Sequence, residues 1–256
     1  MKLECRTSNN KPFNTSTMNE LLQKTISQIV TDHHQTAPIF EKYGIDFCCK
    51  GKRPLLDACT ERALNKEEVL AELNNAIATQ HTATDYNALS LTALADHITR
   101  THHTYVKFNM PQIYNYVMRV ATKHGERFPF MIDVFHLFSE VQEEMNQHML
   151  KEERILFPRI KQLEAEGLAD IPVEYYTEPI DVMEAEHEKA GGLLHQIREL
   201  TNNYTAPAGA CTTFRLALAS LQDFEIDLHQ HVHLENYILF PKAMALYQKL
   251  KEKAIA

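Results

Sequence analysis

Residues 148–158 read His148-Met149-Leu150-Lys151-Glu152-Glu153-Arg154-Ile155-Leu156-Phe157-Pro158, and residues 231–241 read His231-Val232-His233-Leu234-Glu235-Asn236-Tyr237-Ile238-Leu239-Phe240-Pro241. Both spell H-x3-E-x2-I-L-F-P, 83 residues apart. The repeat reaches further out. Glu144 stands four residues before His148 and Asp227 four before His231, while His103 and His187 lie 84 residues apart. The chain therefore carries two copies of one unit, each ordered as a histidine followed by His-x3-Glu. Two helix pairs related in this way make a bundle whose centre is faced by equivalent residues from both halves.

The spacing has a chemical use. Residues i and i+4 share a helix face, roughly 6 Å apart, so each His-x3-Glu can aim an imidazole and a carboxylate at one interior site. The I-L-F run beside it forms core and turns that face inward. With His103 and His187 from the other two helices, the inventory is four histidines and two glutamates around one cavity. Imidazole with carboxylate suits iron, manganese or zinc without thiolates. Two carboxylates shared between two ions would bridge them, offset part of their charge in a dry core, and leave positions for an oxo bridge, water or a small diatomic molecule. A bundle without metal would have no reason to bury these polar groups, which are costly without a partner. Glu144 and Asp227 can accept a bond from the second nitrogen of a ligand imidazole or lie on a solvated face. His102 faces about 100° away from His103. His229 and His233 flank His231 and point to other faces. His33, His34, His81, His97, His124, His136 and His195 have no repeat partner and read as surface or ordinary core residues.

Around this repeat the pattern is helical throughout, with no alternating strand of useful length. Four long segments are expected. The first runs from about Ser90 to Lys123, with Gly125 beyond it and a kink at Pro111. The second runs from Phe130 to Glu166 and stops at Gly167. The third starts near Pro179 as a first helical residue and runs to Asn202, and the fourth spans Cys211 to Lys251. Short loops favour antiparallel neighbours, hence an all-α four-helix bundle. Only 7 glycines in 256 residues agrees with long helices. Residues 1–17 read as a tail, 18–80 as a small helical domain and 81–256 as the bundle, with a polar linker at Gln80–Ala88. In the small domain Gly44 ends one helix and Asn65, with Glu68 three residues on, opens another.

A net charge of -8, from 26 basic and 34 acidic residues, argues against nucleic-acid or anionic-membrane partners. No apolar run is long enough for a membrane span, and the polar stretch from Met1 to Met18 lacks the apolar core of a secretion signal. A cytoplasmic protein is expected. The 5 cysteines form no secreted framework, because Cys5, Cys59 and Cys211 are scattered. The adjacent pair in Tyr43-Gly44-Ile45-Asp46-Phe47-Cys48-Cys49-Lys50-Gly51-Lys52 reads as free thiols or metal ligands. Lys50, Lys52 and Arg53 would favour thiolate, unless one thiol is buried behind Phe47.

The two motif regions together resemble the di-iron iron–sulfur cluster repair proteins, the RIC or YtfE/ScdA family, over nearly all of the chain after Met18. Tyr43–Lys52, with its Phe-Cys-Cys, is similar to the signature of that family's ScdA-type N-terminal domain. Leu89–Leu250 is similar to its hemerythrin-like domain, and Val182–His187 to its third-helix motif. Lys50 departs from relatives that have glycine there. The resemblance implies iron ligands at His103 (preferred over His102 partly on this ground), His148, Glu152, His187, His231 and Glu235. It also implies two oxo- and carboxylate-bridged iron ions per chain, with Glu152 and Glu235 as the bridges. It implies a cytoplasmic stress protein, a homodimer, that restores iron–sulfur client proteins damaged by oxidative or nitrosative attack by giving up iron, with Cys48 and Cys49 acting in the transfer or in redox coupling. Two alternatives stand beside this reading: an enzyme reducing nitric oxide at the two irons, and a hemerythrin-like module that binds or senses O2 or NO.

Overall fold

A computed structural model describes residues 20–79, 84–167 and 171–255 of the chain. The tail at 1–17, Met18, Cys5, His81 and the first part of the linker lie outside the described residues. The rest falls into two compact units, one within Met1–Ile45 and Gly51–His81, the other within Asp46–Lys50 and Thr82–Ala256.

The smaller unit is built of short helices: α1 (Ile26–Asp32), α2 (Ala37–Lys42), α3 (Leu55–Glu61) and α4 (Lys66–Ala78). Local caps explain their ends. Thr25 accepts from the Gln28 N–H while the Gln28 side chain accepts from the Thr25 N–H, a reciprocal cap that opens α1. Gly44 follows α2 at φ +62°, a conformation glycine adopts without strain. The Asn65 side chain accepts from the Glu67 and Glu68 N–H groups and opens α4, as the sequence predicts. Ile26, Ile29, Phe40, Leu55, Val69 and Leu73 bury fully to form its core.

The larger unit carries four long helices. Helix α5 comprises Leu91–Ile98, a π turn Thr99–His103 and Thr104–His124. Helix α6 comprises Phe130–Lys151, a π turn Glu152–Leu156 and Phe157–Glu166. Helix α7 is Glu174–Leu200, and α8 comprises Thr212–Leu234, a π turn Glu235–Leu239 and Phe240–Ile255. Helix α5 packs on α6 and α8, and α6 on α7. Ser90 caps α5 through the Ala93 N–H, and Glu164 on α6 accepts from the Leu91 and Thr92 N–H groups at 2.8 and 2.9 Å, which pins the start of the bundle. Gly167 ends α6 in the left-handed conformation at φ +63°.

One expectation drawn from proline is corrected. Helix α7 begins at Glu174, five residues before Pro179, which sits inside it. Pro179 has no N–H for the carbonyl four residues back, at Tyr175. Arg159 of α6 donates to that oxygen instead, at 2.8 Å, with its guanidinium 3.9 Å over the Tyr175 ring. The α-helix also runs on without interruption through Pro111. Pro111 and Lys107 are both exposed, so water reaches the carbonyl that the proline frees.

The long helices also contain three π turns, each closed by a bond from residue i+5: Thr104 N–H to the Thr99 carbonyl, Phe157 N–H to Glu152 and Phe240 N–H to Glu235. The last two precede Pro158 and Pro241. The same turns begin at Glu152 and Glu235.

Candidate metal centre

All six residues singled out by the repeat are brought together, each no more than 2% exposed. His103 ends the π turn of α5, His148 lies in the last α-helical turn of α6 before Glu152, His187 stands mid-way along α7, and His231 and Glu235 occupy the matching place on α8. They form two overlapping groups. His103, His231, Glu152 and Glu235 make one, and His148, His187, Glu152 and Glu235 the other.

Each carboxylate reaches both groups with separate oxygens. Glu152 sends Oε2 to His103 Nε2 and Oε1 to His148 Nε2, both at 3.3 Å. Glu235 sends Oε1 to His231 Nε2 at 3.0 Å and Oε2 to His187 Nε2 at 3.1 Å. Across each group two imidazole nitrogens face one another: His103 and His231 Nε2 at 3.2 Å, His148 and His187 Nε2 at 2.9 Å.

The outer nitrogens show which way these imidazoles are turned. His103 Nδ1 meets Glu153 at 2.8 Å, His148 Nδ1 meets Glu186 at 3.0 Å and His187 Nδ1 meets Asn236 at 2.9 Å. A carboxylate or amide oxygen accepts, so these Nδ1 atoms carry hydrogen and their Nε2 lone pairs point into the cluster. Facing lone pairs repel unless a cation or a proton lies between them. Both oxygens of Glu152 and Oε2 of Glu235 are buried and receive no hydrogen bond from the described residues. Burial opposes charge on both carboxylates, yet the histidines beside them hold each below the usual range. Burial likewise opposes charge on His148, yet Glu152 and Glu186 lift it to about 10. At neutral pH His148 therefore keeps a proton that a metal ion would displace, and the set of four inward imidazoles and two ionised carboxylates is able to hold metal.

Sequence spacing does not reveal which groups would back the ligands. Glu144 engages Lys189 at 2.7 Å, and Asp227 meets His102 rather than any of the four cluster histidines. The groups that do the backing, Glu153, Glu186 and Asn236, each sit next in sequence to a cluster residue. Adjacency places a side chain on another face of its own helix, but that face meets the neighbouring helix, a relation that only the packed bundle shows. His102, His229 and His233 are buried as well. The last two meet Phe47 edge-on, at ring-centroid distances of 6.0 and 5.6 Å.

Cys48 and Cys49 are free thiols, 3.5 Å apart at sulfur. Asp46 Oδ1 accepts from both backbone N–H groups, at 3.0 and 2.8 Å, and from the Cys48 thiol at 3.3 Å. These three residues can also hold a cation. The expectation of thiolate is corrected for Cys48: it is buried, and burial followed by Cys49 and Asp46 pushes its thiol well up. Arg53 is engaged with Glu61. Cys49, half-buried, lies with Sγ 3.6 Å from the His187 carbonyl. A Cβ at Gly191, one turn further along α7, would stand 2.9 Å from that sulfur, so glycine is what lets it approach.

Comparison with known proteins agrees with this geometry. The hemerythrin HHE cation binding domain family matches residues 94–243, and ScdA_N, described as a domain of unknown function, matches residues 22–77. The chain is 36% identical over 211 residues to a protein of Cronobacter sakazakii named iron-sulfur cluster repair protein YtfE, covering 82% of this chain and 91% of that one. Proteins of the same name from Shigella boydii and Yersinia pseudotuberculosis are each 35% identical over 82% of this chain, covering 92% and 91% of their own length. No helix of the described residues is long and apolar enough to cross a membrane.

Proposed function

The chain belongs to the hemerythrin HHE cation-binding family, and we propose that it repairs iron–sulfur clusters damaged by oxidative or nitrosative stress, using iron held at the six-residue cluster as cargo. His103 and His231 would hold one ion and His148 and His187 the other, with Glu152 and Glu235 able to serve both. The observation that carries this reading is the split reach of the two glutamates: each offers one oxygen to each histidine pair, and three of the four oxygens have no hydrogen-bond partner among the described residues. The name shared by the relatives supplies the class of client, iron–sulfur proteins.

Six protein ligands for two ions leave each with four donors and open positions, so an ion can exchange ligands stepwise and leave. When bound, ferrous ions supply a transferable metal to a cluster that has lost one. The residues do the rest: the imidazoles hold the ions, the carboxylates offset their charge, and the Nδ1 partners fix the rings. Cys48 and Cys49 take part at the exit. Cys49 touches the backbone of the helix that carries His187, and a thiol pair beside Asp46 offers an intermediate set of ligands. The same reading places the protein in the cytoplasm as a homodimer, which the family resemblance supports.

The test is to load the protein with ferrous iron without oxygen and incubate it with an iron–sulfur enzyme whose cluster has been damaged by nitric oxide. Iron should fall from about two per chain as the enzyme regains activity, and the Cys48→Ser, Cys49→Ser double variant should bind iron normally but restore little. Iron that stays in place while nitric oxide is consumed would move the reading to a nitric oxide reductase.

A further inference from the structure

The internal repeat allows the surroundings of the two metal positions to be compared atom by atom, and they are not equivalent. His103 corresponds to His187, and Glu153 to Asn236. In both halves the outer partner is kept, but it is a carboxylate at 2.8 Å in one and a neutral amide at 2.9 Å in the other. His148 corresponds to His231, and Glu186 to His102. Here the partner itself is lost. Glu186 accepts from His148 Nδ1 at 3.0 Å and is held by Lys151. His102 instead lies flat against His231, with ring centroids 5.7 Å apart and an interplanar angle of 7°, and turns its own Nδ1 to Asp227 at 3.0 Å. His231 Nδ1 is buried and has no hydrogen-bond partner among the described residues.

An imidazole that donates its outer N–H is a stronger and better-oriented ligand than one that does not. The pair His148 and His187 has an outer acceptor on each ring. The pair His103 and His231 has one only. We infer that the two positions hold their ions unequally, and that the ion between His103 and His231 leaves first because His102 stands where the other half of the repeat supplies Glu186. This rests on the two-ion reading above and deepens it by naming which ion is the cargo. His102 acts as a positioning residue: it fixes the His231 ring by stacking while denying it an acceptor.

The sequence offers a direct restoration. Gln at position 102 places an amide oxygen where Glu186 places its carboxylate, without setting a second charge beside Asp227. A chromogenic ferrous chelator added to the fully loaded protein, with no client present, should remove iron in two phases of one ion per chain, separated by about tenfold or more, the scale on which such outer partners act. His102→Gln should slow the fast phase alone. Asn236→Ala, at the other pair, should speed the slow phase alone and serves if His102→Gln folds poorly. Protein loaded with one iron per chain should show anomalous density between His148 and His187. Two ions leaving in a single phase, phases that neither variant moves, or density between His103 and His231 would overturn the inference and leave the repair reading standing. Fewer than two irons per chain at saturation would overturn both.

Discussion

Two regions of the bundle bury carboxylates, and they treat them in opposite ways. Beyond the cluster, Glu225 on α8 is 2% exposed, but it accepts from Arg198 Nε at 2.9 Å and from the Tyr204 hydroxyl at 2.8 Å. That network also holds the loop after α7, where Asn202, Asn203 and Tyr204 all have positive φ, 47° to 57°, a run that non-glycine residues rarely adopt. Burial and Glu225 together push the Tyr204 hydroxyl far above the usual range, so it stays a donor. Glu152 and Glu235 are buried as deeply and face the cluster imidazoles, and three of their four oxygens have no hydrogen-bond partner among the described residues. Burial alone therefore does not mark a functional carboxylate. What separates the two regions is the partner: Glu225 is answered by a permanently charged guanidinium and a tyrosine hydroxyl, whereas the cluster carboxylates are answered by imidazoles, whose protons a metal ion can displace.

That contrast is most exposed at Glu152. Because it serves both positions, Glu152→Ala should remove essentially all iron, while circular dichroism shows the helices retained. His148→Ala should lose the iron between His148 and His187, and either variant retaining two irons per chain would sink the ligand assignment. The complementary change is Arg198→Ala, which strands a buried charge. It should cost about 3–5 kcal/mol of folding stability, read from denaturant unfolding, with the iron content of the folded fraction unchanged. Iron loss from this variant would erase the distinction between the regions. Stripping iron from the wild type should cost about 3 kcal/mol relative to protein in free metal at a hundredfold its dissociation constant. An equal stability with and without metal would mean that the cluster satisfies itself. The smallest expected effect is that of Tyr204→Phe, about 1 kcal/mol, since Arg198 still answers Glu225.

How much of this was legible beforehand follows from what repeats. The six cluster residues could be found because a duplication displays them twice, 83 or 84 residues apart, beside an inward face marked by Ile-Leu-Phe, with the family resemblance helping to choose His103 over His102. The bundle was legible for the same reason, together with stops such as Gly167. The start of α7 was not, because Pro179 carries a strong local signal that a distant Arg159 overrides by donating to the freed carbonyl. The π turns were not, since helix periodicity does not register one added residue. Glu153, Glu186 and Asn236 were hidden among ordinary polar neighbours. The Glu225 network joins residues 198, 204 and 225, whose meeting depends on the loop between α7 and α8. Local pattern fixes what a helix carries, and packing decides which helix answers it.

The proposal that Glu152 and Glu235 each join two metal positions can be checked by anomalous diffraction at the iron edge from fully loaded crystals. Two peaks are expected, one between His103 and His231 and one between His148 and His187, with an oxygen of each glutamate on both. A single peak, or peaks elsewhere in the chain, would contradict it.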